Sequence, residues 1–233
     1  MDEVQVVAKS EKGLVRKVNE DRFIATENLI AVADGMGGHL AGEVAAQIAI
    51  DVINDLSYSD KMLNILNQAF QKANQLIFEN GKNNKEQEGM GTTLTTIVVD
   101  SNKAYLAHVG DSRGYLIRNS EVTQLTEDHS YVNQLVAMGT ISLEEAEKHP
   151  QRNILLRVLG IDKEVEVDQN VIDLFKGDRL LVASDGLFTD VPRNDIEEIL
   201  KSGLGLTELA DKLIDVALAK GGRDNITVVI GEV

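Results

Sequence analysis

Not one of the 233 residues is a cysteine. Disulfides and thiolate metal sites are therefore excluded, and a reducing cytosol is the expected compartment. Proline occurs only 2 times, and no linker, internal repeat or low-complexity tract divides the chain, so one domain over 1–233 is expected. No apolar run approaches the length that spans a bilayer, and no N-terminal stretch joins a basic start to an apolar core. A soluble chain that is not secreted is the expectation. Basic residues are also scarce, with 23 Lys+Arg against 38 Asp+Glu, for a formal charge of −15. That balance argues against nucleic acid or an anionic membrane as partner. No glycine-rich loop ending in Lys-Ser or Lys-Thr marks a nucleotide site.

What is present is an ordinary globular share of hydrophobic residues, 43%, arranged in runs that stop abruptly on aspartate. Leu29-Ile-Ala-Val-Ala runs into Asp34-Gly35, Tyr105 to Gly110 into Asp111, and Arg179 to Ser184 into Asp185-Gly186. In mirror image, Gly221-Gly222-Arg223-Asp224-Asn225 precedes the run Ile226 to Ile230. Aspartate is a poor strand former, and a buried unpaired carboxylate is costly unless something positive compensates it. Four of them at strand ends suggest a shared cation, and an oxygen-rich site suits Mg2+ or Mn2+. Asp-Gly is also an ordinary turn signal. After Asp34, however, Met36-Gly37-Gly38-His39-Leu40-Ala41-Gly42 leads into a long Ala-rich amphipathic run rather than a second strand. A glycine-rich connection from strand to helix favours a site over a hairpin turn.

Hydrophobic spacing predicts strands over 4–9, 22–26, 29–33, 92–99, 104–109, 114–118 and 122–125, and again over 154–159, 164–172, 179–183 and 226–229. Helical patterns cover about 42–56, 59–80, 193–201 and 207–220. Strands, a helix pair, more strands and a second helix pair suggest α+β layering rather than a parallel sheet. Between 127 and 153 the chain turns to short helical pieces of mixed polarity, an insertion of the kind that forms a flap beside a site.

Arg16-Lys-Val-Asn19-Glu20-Asp21, Asp34-Gly-Met-Gly-Gly-His39, Gly89-Met-Gly-Thr-Thr93, Val109-Gly-Asp111-Ser-Arg113, Ser184-Asp185-Gly186 and Gly222-Arg-Asp224-Asn225 stand in this chain in that order. In that order they resemble the metal-dependent protein phosphatases of the 2C type. The stretch His149-Pro150-Gln151-Arg152-Asn153 resembles the flap of the bacterial members. The resemblance implies a four-layer α-β-β-α sandwich, two central, mainly antiparallel sheets flanked by helix pairs. It implies a cytoplasmic bacterial phosphatase for phosphoserine and phosphothreonine proteins, opposing a cognate serine/threonine kinase and acting as a monomer. By resemblance, Asp34 bridges two Mn2+ or Mg2+ ions, with the Gly35 carbonyl on the second ion and Asp185 and Asp224 on the first. Asp21, and with it Glu20, would hold waters on the ions, and Asp111 with Asp185 would make a weaker third site. Arg16 is the candidate for binding the phosphate, since a guanidinium fork matches two phosphate oxygens. A water activated between the ions would then attack phosphorus directly, with no phosphoenzyme.

Two departures from the family pattern qualify these roles. Met36 stands where eukaryotic relatives have a histidine, so His39 and a water compete as proton donor to the leaving oxygen. After Asp185, Phe188 lengthens the loop, so Thr189 takes the place of an acidic or amide residue and Asp190 follows. Asn225 is expected to orient Asp224 or a water, and His108, His129 and His149 to be structural or exposed. The same residues leave open a catalytically silent binding module and an acidic metal-buffering protein.

Overall fold

The computed structural model of the chain describes residues 4–37, 41–59 and 61–233. The chain opens with strands β1 (Gln5–Glu11), β2 (Asp21–Thr26) and β3 (Leu29–Met36), followed by helices α1 (Ala41–Asn54) and α2 (Met62–Asn83). Five strands come next, β4 (Gly91–Thr92), β5 (Leu94–Asp100), β6 (Lys103–Val109), β7 (Arg113–Arg118) and β8 (Glu121–Gln124). The short helices α3 (Tyr131–Ala137) and α4 (Leu143–Glu147) lead to β9 (Asp168–Asp173) and β10 (Arg179–Ala183). Helices α5 (Arg193–Leu200) and α6 (Leu206–Ala219) and the strand β11 (Ile226–Glu232) complete the chain.

Alternation along the strands builds the layers. One sheet has the order β1-β11-β10-β7-β8 and the other β2-β3-β5-β6-β9 with β4 on β3, and the pairings are antiparallel. On β10, Leu181 and Ala183 pack towards α5 and α6, while Leu180 and Val182 turn to the space between the sheets. On β5, Leu94 and Val98 pack under α1 and α2, and Ile97 faces between the sheets. Three apolar layers therefore separate four layers of structure, the expected α-β-β-α sandwich. Each fully buried Leu or Ile contributes roughly 1.5–3 kcal/mol relative to exposure.

The helices follow their sequence pattern. Leu66, Phe70, Ala73 and Ile77 recur at helical spacing along α2 and are buried. Small Ala45, Ala46 and Ala49 let α1 lie close against β3, and all three are fully buried. The strand expected over 154–159 does not form. Ile154 and Leu156 are exposed, so the burial that would support a strand is missing, and only isolated bridges pair Leu155 with Ser130 and Leu159 with Thr92. The strand expected over 164–172 contracts to β9. In the 127–153 segment, Ser130 caps α3 and Ser142 forms a capping box with Glu145 on α4. No helix among the described residues is long and apolar enough to cross a membrane.

Strand direction gathers the aspartates. β3 carries Asp34 close to its end at Met36, β6 and β10 stop just short of Asp111 and Asp185, and β11 starts just after Asp224 beside the end of β10. Asp21, the first residue of β2, pairs directly with Asp34 in the register of β2 and β3. All five therefore come to one end of the sandwich.

Candidate metal centre

Asp34 is the hub. Its backbone N–H donates to Thr93 Oγ1 at 3.0 Å, and its carbonyl accepts from Thr92 Oγ1 and Thr93 N, both at 2.9 Å. Those bonds leave its carboxylate free to face the cleft. The carboxyl groups of Asp34 and Asp185 lie near enough for each to act on the ionisation of the other. Asp34, Asp111, Asp185 and Asp224 keep part of their surface open, so their desolvation is that of a cleft floor rather than of the core. Asp21 is buried and accepts from Ser184 Oγ at 2.7 Å and Thr227 Oγ1 at 2.6 Å.

Burial first, and then neighbouring carboxylates, hold these acids above the ordinary aspartate range. Asp21 is pushed up to about 7 and Asp185 to about 6. Asp34 is held well above its usual value by burial and by Asp21, Asp185, Asp111 and Asp224, in that order. Asp111 is raised by burial and by Asp185. Burial likewise raises Glu20, against the pull of Arg16 and of the backbone N–H groups at the start of α1. Glu20 Oε1 and Asp21 Oδ1 are buried without a hydrogen-bond partner.

Positive charge is short here. Arg16 Nη2 donates to Asp224 Oδ2 at 2.7 Å, and Arg113, the next cation, is committed to Asp128 at 2.7 Å. Orphaned carboxylate oxygens and mutual repulsion are what an oxygen-liganded divalent cation would relieve, so the residues fit Mg2+ or Mn2+. Among the described residues no three acid or histidine side chains close into a ready coordination sphere. The carboxylates lean instead on Arg16, Ser184, Thr227 and one another. Hard ions that keep several waters do not require a closed protein cage.

Gly35 is required by close packing. A Cβ there would stand 2.1 Å from Gly42 O and 2.9 Å from Glu20 O, both backbone atoms. Gly35→Ala is expected to force the start of α1 off β3, at a cost of about 1–3 kcal/mol or more. A thermal melt should show the midpoint falling by roughly 2–12 °C, and an unchanged midpoint would contradict this packing.

The structure brings Arg16, Glu20, Asp21, Asp34, Gly35, Asp111, Asp185 and Asp224 to one cleft. His39 lies outside the described residues. Asn225 accepts from Glu20 N at 2.8 Å, donates to Lys12 O and Val18 O at 2.9 Å each, and through its own N–H donates to Asp224 Oδ1 at 2.8 Å. It thus ties the Arg16 loop to the Asp224 loop. Asp190 is held by Arg223 through two donors and is drawn below its usual range. Of the histidines, His108 is fully buried, His129 nearly so on its side chain, and His149 half-buried. Thr92, Thr93, Ser184 and Thr227 were not singled out by the sequence as supports, although a hydroxyl inside an apolar strand was the available signal. Beside Asp111 and Asp185, under the 127–153 segment, lies a cavity of about 490 Å³ walled by Val132, Val136, Leu143, Arg152 and Phe188.

The family profile described as Protein phosphatase 2C matches residues 9–135. A relative named serine/threonine phosphatase stp, from Listeria monocytogenes, is 42% identical over 236 residues, covering 96% of this chain and 94% of that protein. The crystal structure of the Mycobacterium tuberculosis serine/threonine phosphatase PstP/Ppp superposes with a TM-score of 0.94 at 42% identity, covering 99% of both chains. The catalytic domain of PstP in complex with two manganese ions superposes with a TM-score of 0.91 at 41% identity, covering 99% of this chain and 98% of that one.

Proposed function

The chain belongs to the protein phosphatase 2C family, and from that membership we propose that it hydrolyses phosphoserine and phosphothreonine in proteins by direct attack of water, with no phosphoenzyme. It is a metal-dependent serine/threonine protein phosphatase of that type. The observation that carries the reading is a set of mutually repelling carboxylates with one guanidinium, Arg16, at their edge. Asp34 would hold both ions, Gly35 O the second, and Asp185 and Asp224 the first. Asp21 and Glu20 would act through waters, and their unpartnered oxygens are the atoms available for it. Asp111 with Asp185 would take a weaker third ion. Mn2+ or Mg2+ bound there supplies Lewis acidity that brings a water towards hydroxide near neutral pH and offsets the phosphate charge.

The chain's own groups do the rest. Arg16 releases Asp224 and forks onto two phosphate oxygens. No cysteine is available as nucleophile. Ser184, the hydroxyl beside Asp185, is fully buried and spends its proton on Asp21. The leaving oxygen takes its proton from water or from His39. Residues 1–233 form one cytoplasmic phosphatase domain whose 127–153 segment shapes access, and a charge of −15 favours a monomer. It opposes a cognate bacterial serine/threonine kinase.

The test is hydrolysis of a phosphothreonine peptide with Mn2+, then with Mg2+, and after chelation. Activity with either ion and none in chelator is expected. A folded, metal-loaded protein that releases no phosphate would end this reading in favour of a silent module.

A further inference from the structure

The loop that carries Asp111 is anchored by buried polar side chains that the reaction does not use. On β5 and β6, Thr95 and His108 stand opposite each other and are fully buried. There the apolar space between the sheets gives way to polar groups. Thr95 Oγ1 lies 3.0 Å from Ser112 O and 2.8 Å from His108 Nδ1, and His108 Nε2 lies 3.0 Å from Glu127 O. Ser112 Oγ in turn meets Thr93 Oγ1 at 2.7 Å, and Thr93 Oγ1 accepts from Asp34 N. One line of contacts thus runs from the backbone of Asp34, past the Asp111 loop, to the root of the 127–153 segment.

Counting protons along that line exposes a shortage. Three contacts join Ser112 O, Thr95, His108 and Glu127 O, and each needs one hydrogen. Thr95 supplies one, and a neutral imidazole supplies one more. If Nε2–H donates to Glu127 O, then Thr95 must donate to Nδ1, and Ser112 O loses its donor. If Nδ1–H donates to Thr95, then Thr95 serves Ser112 O, and Glu127 O faces a lone pair. Only a doubly protonated ring would satisfy all three contacts. The ring stays neutral in the working range because burial and the neighbouring His129 ring, 4.7 Å away, push His108 down to about 4. His129 is itself fixed, accepting from Gly110 N at 3.0 Å and facing Asp168 and Arg157.

We propose that His108 is a positioning residue whose single ring proton is traded between the Asp111 loop and the root of the 127–153 segment, coupling that segment to the metal centre. The proposal rests on the reading of Asp34 and Asp111 as metal ligands. The trade is unequal: releasing Glu127 O costs little, because Glu127 is exposed and its carbonyl can turn to water, whereas Ser112 is fully buried and its carbonyl would be left unpaired.

His108→Phe keeps a ring of similar size and removes both contacts, whereas His108→Asn keeps a polar atom at the Nδ1 position and loses only the reach to Glu127 O. His108→Phe is expected to lower kcat at saturating Mn2+ by about 10–100-fold, the range for a lost partner behind a metal site, and His108→Asn by threefold or less, about 0.65 kcal/mol. Amide hydrogen exchange without metal should rise at 110–112 and at 127–131 in His108→Phe, but only at 127–131 in His108→Asn. Imidazole 15N spectra of the unmodified protein at pH 7 should show a neutral ring at His108. A doubly protonated ring at pH 7, or Phe and Asn variants alike in both kcat and exchange pattern, would overturn the proposal. An unmodified protein without phosphatase activity would count against the proposed function alone, and the exchange pattern and the ring spectrum would then decide the role of His108.

Discussion

Asp34→Asn is expected to lower kcat/KM on a phosphothreonine peptide by about 10²–10³-fold or more and, in the same molecule, to raise the melting temperature of the metal-free protein. The first effect follows from the place of Asp34 as the one carboxylate pressed by Asp21, Asp185, Asp111 and Asp224 together. Removing its charge removes the group best placed to hold two ions. The second effect follows from the same crowding without the ions. A carboxyl held above its unfolded value binds its proton more tightly in the fold, so it stabilises the fold in acid and loses that contribution as pH rises through the folded value. For Asp21 and Asp185 the window runs from about 4 up to about 7 and about 6. Asp34 is raised too, so at neutral pH its charge works against the metal-free fold.

An amide of the same shape carries no such charge. A gain of about 1–2 kcal/mol would lift the midpoint by roughly 2–8 °C for a chain of this size. His108, pushed down to about 4, opposes the acids over the same window, but it is present in both proteins and cancels in the comparison. Saturating Mn2+ should reverse the order, because an ion that binds only the folded state stabilises it by mass action and the variant has lost the site. Thermal melts of both proteins in chelator and in Mn2+ give the four midpoints needed. A variant that melts below the unmodified protein in chelator would sink the reading of Asp34 as an uncompensated charge.

The parts of this site that were legible in the sequence are those whose chemistry conflicts with their surroundings. Asp34, Asp111, Asp185 and Asp224 interrupt apolar strands, and the antiparallel layering carries all four to one end. Helices α1, α2, α5 and α6 declared themselves by period. The supports did not, because Thr93, Thr95, Ser112 and Thr227 suit a strand as well as a site. What each hydroxyl bonds depends on a strand far away in the chain: Thr227 meets Asp21 across 206 positions and Ser184 meets it across 163. Pairings of that range belong to topology, which local patterns do not encode. The stretch 154–159 failed for a related reason. Its apolar residues form a near-continuous run, but only Leu155 and Leu159 find a bridging partner, and Ile154 and Leu156 stay exposed.

Arg16→Ala is expected to move two measurements in opposite directions. Without metal, Arg16 is occupied by Asp224 at 2.7 Å, with about half of its side chain exposed. Hydrogen bonding to Asp224 raises the guanidinium above its already high value, and Asp34 and Glu20 add to the effect. The same cation that would clamp a phosphate therefore competes with an ion for Asp224. Its removal should lower kcat/KM on a phosphopeptide by about 10²-fold, as expected for a lost bidentate contact to developing phosphate charge. Mn2+ should bind more tightly in the same variant, by about fivefold or less, because an exposed ion pair is worth roughly 1 kcal/mol at most. Arg16→Lys should recover the Mn2+ affinity of the unmodified protein but little of the turnover, since an ammonium supplies charge without the fork. Steady-state kinetics on the peptide and calorimetric Mn2+ titration read the two quantities separately. General damage to the cleft would weaken both, and a metal-buffering protein would show no dependence of turnover on Arg16. Tighter Mn2+ with weaker hydrolysis is the pattern that requires Arg16 to face Asp224 in one state and phosphate in the other.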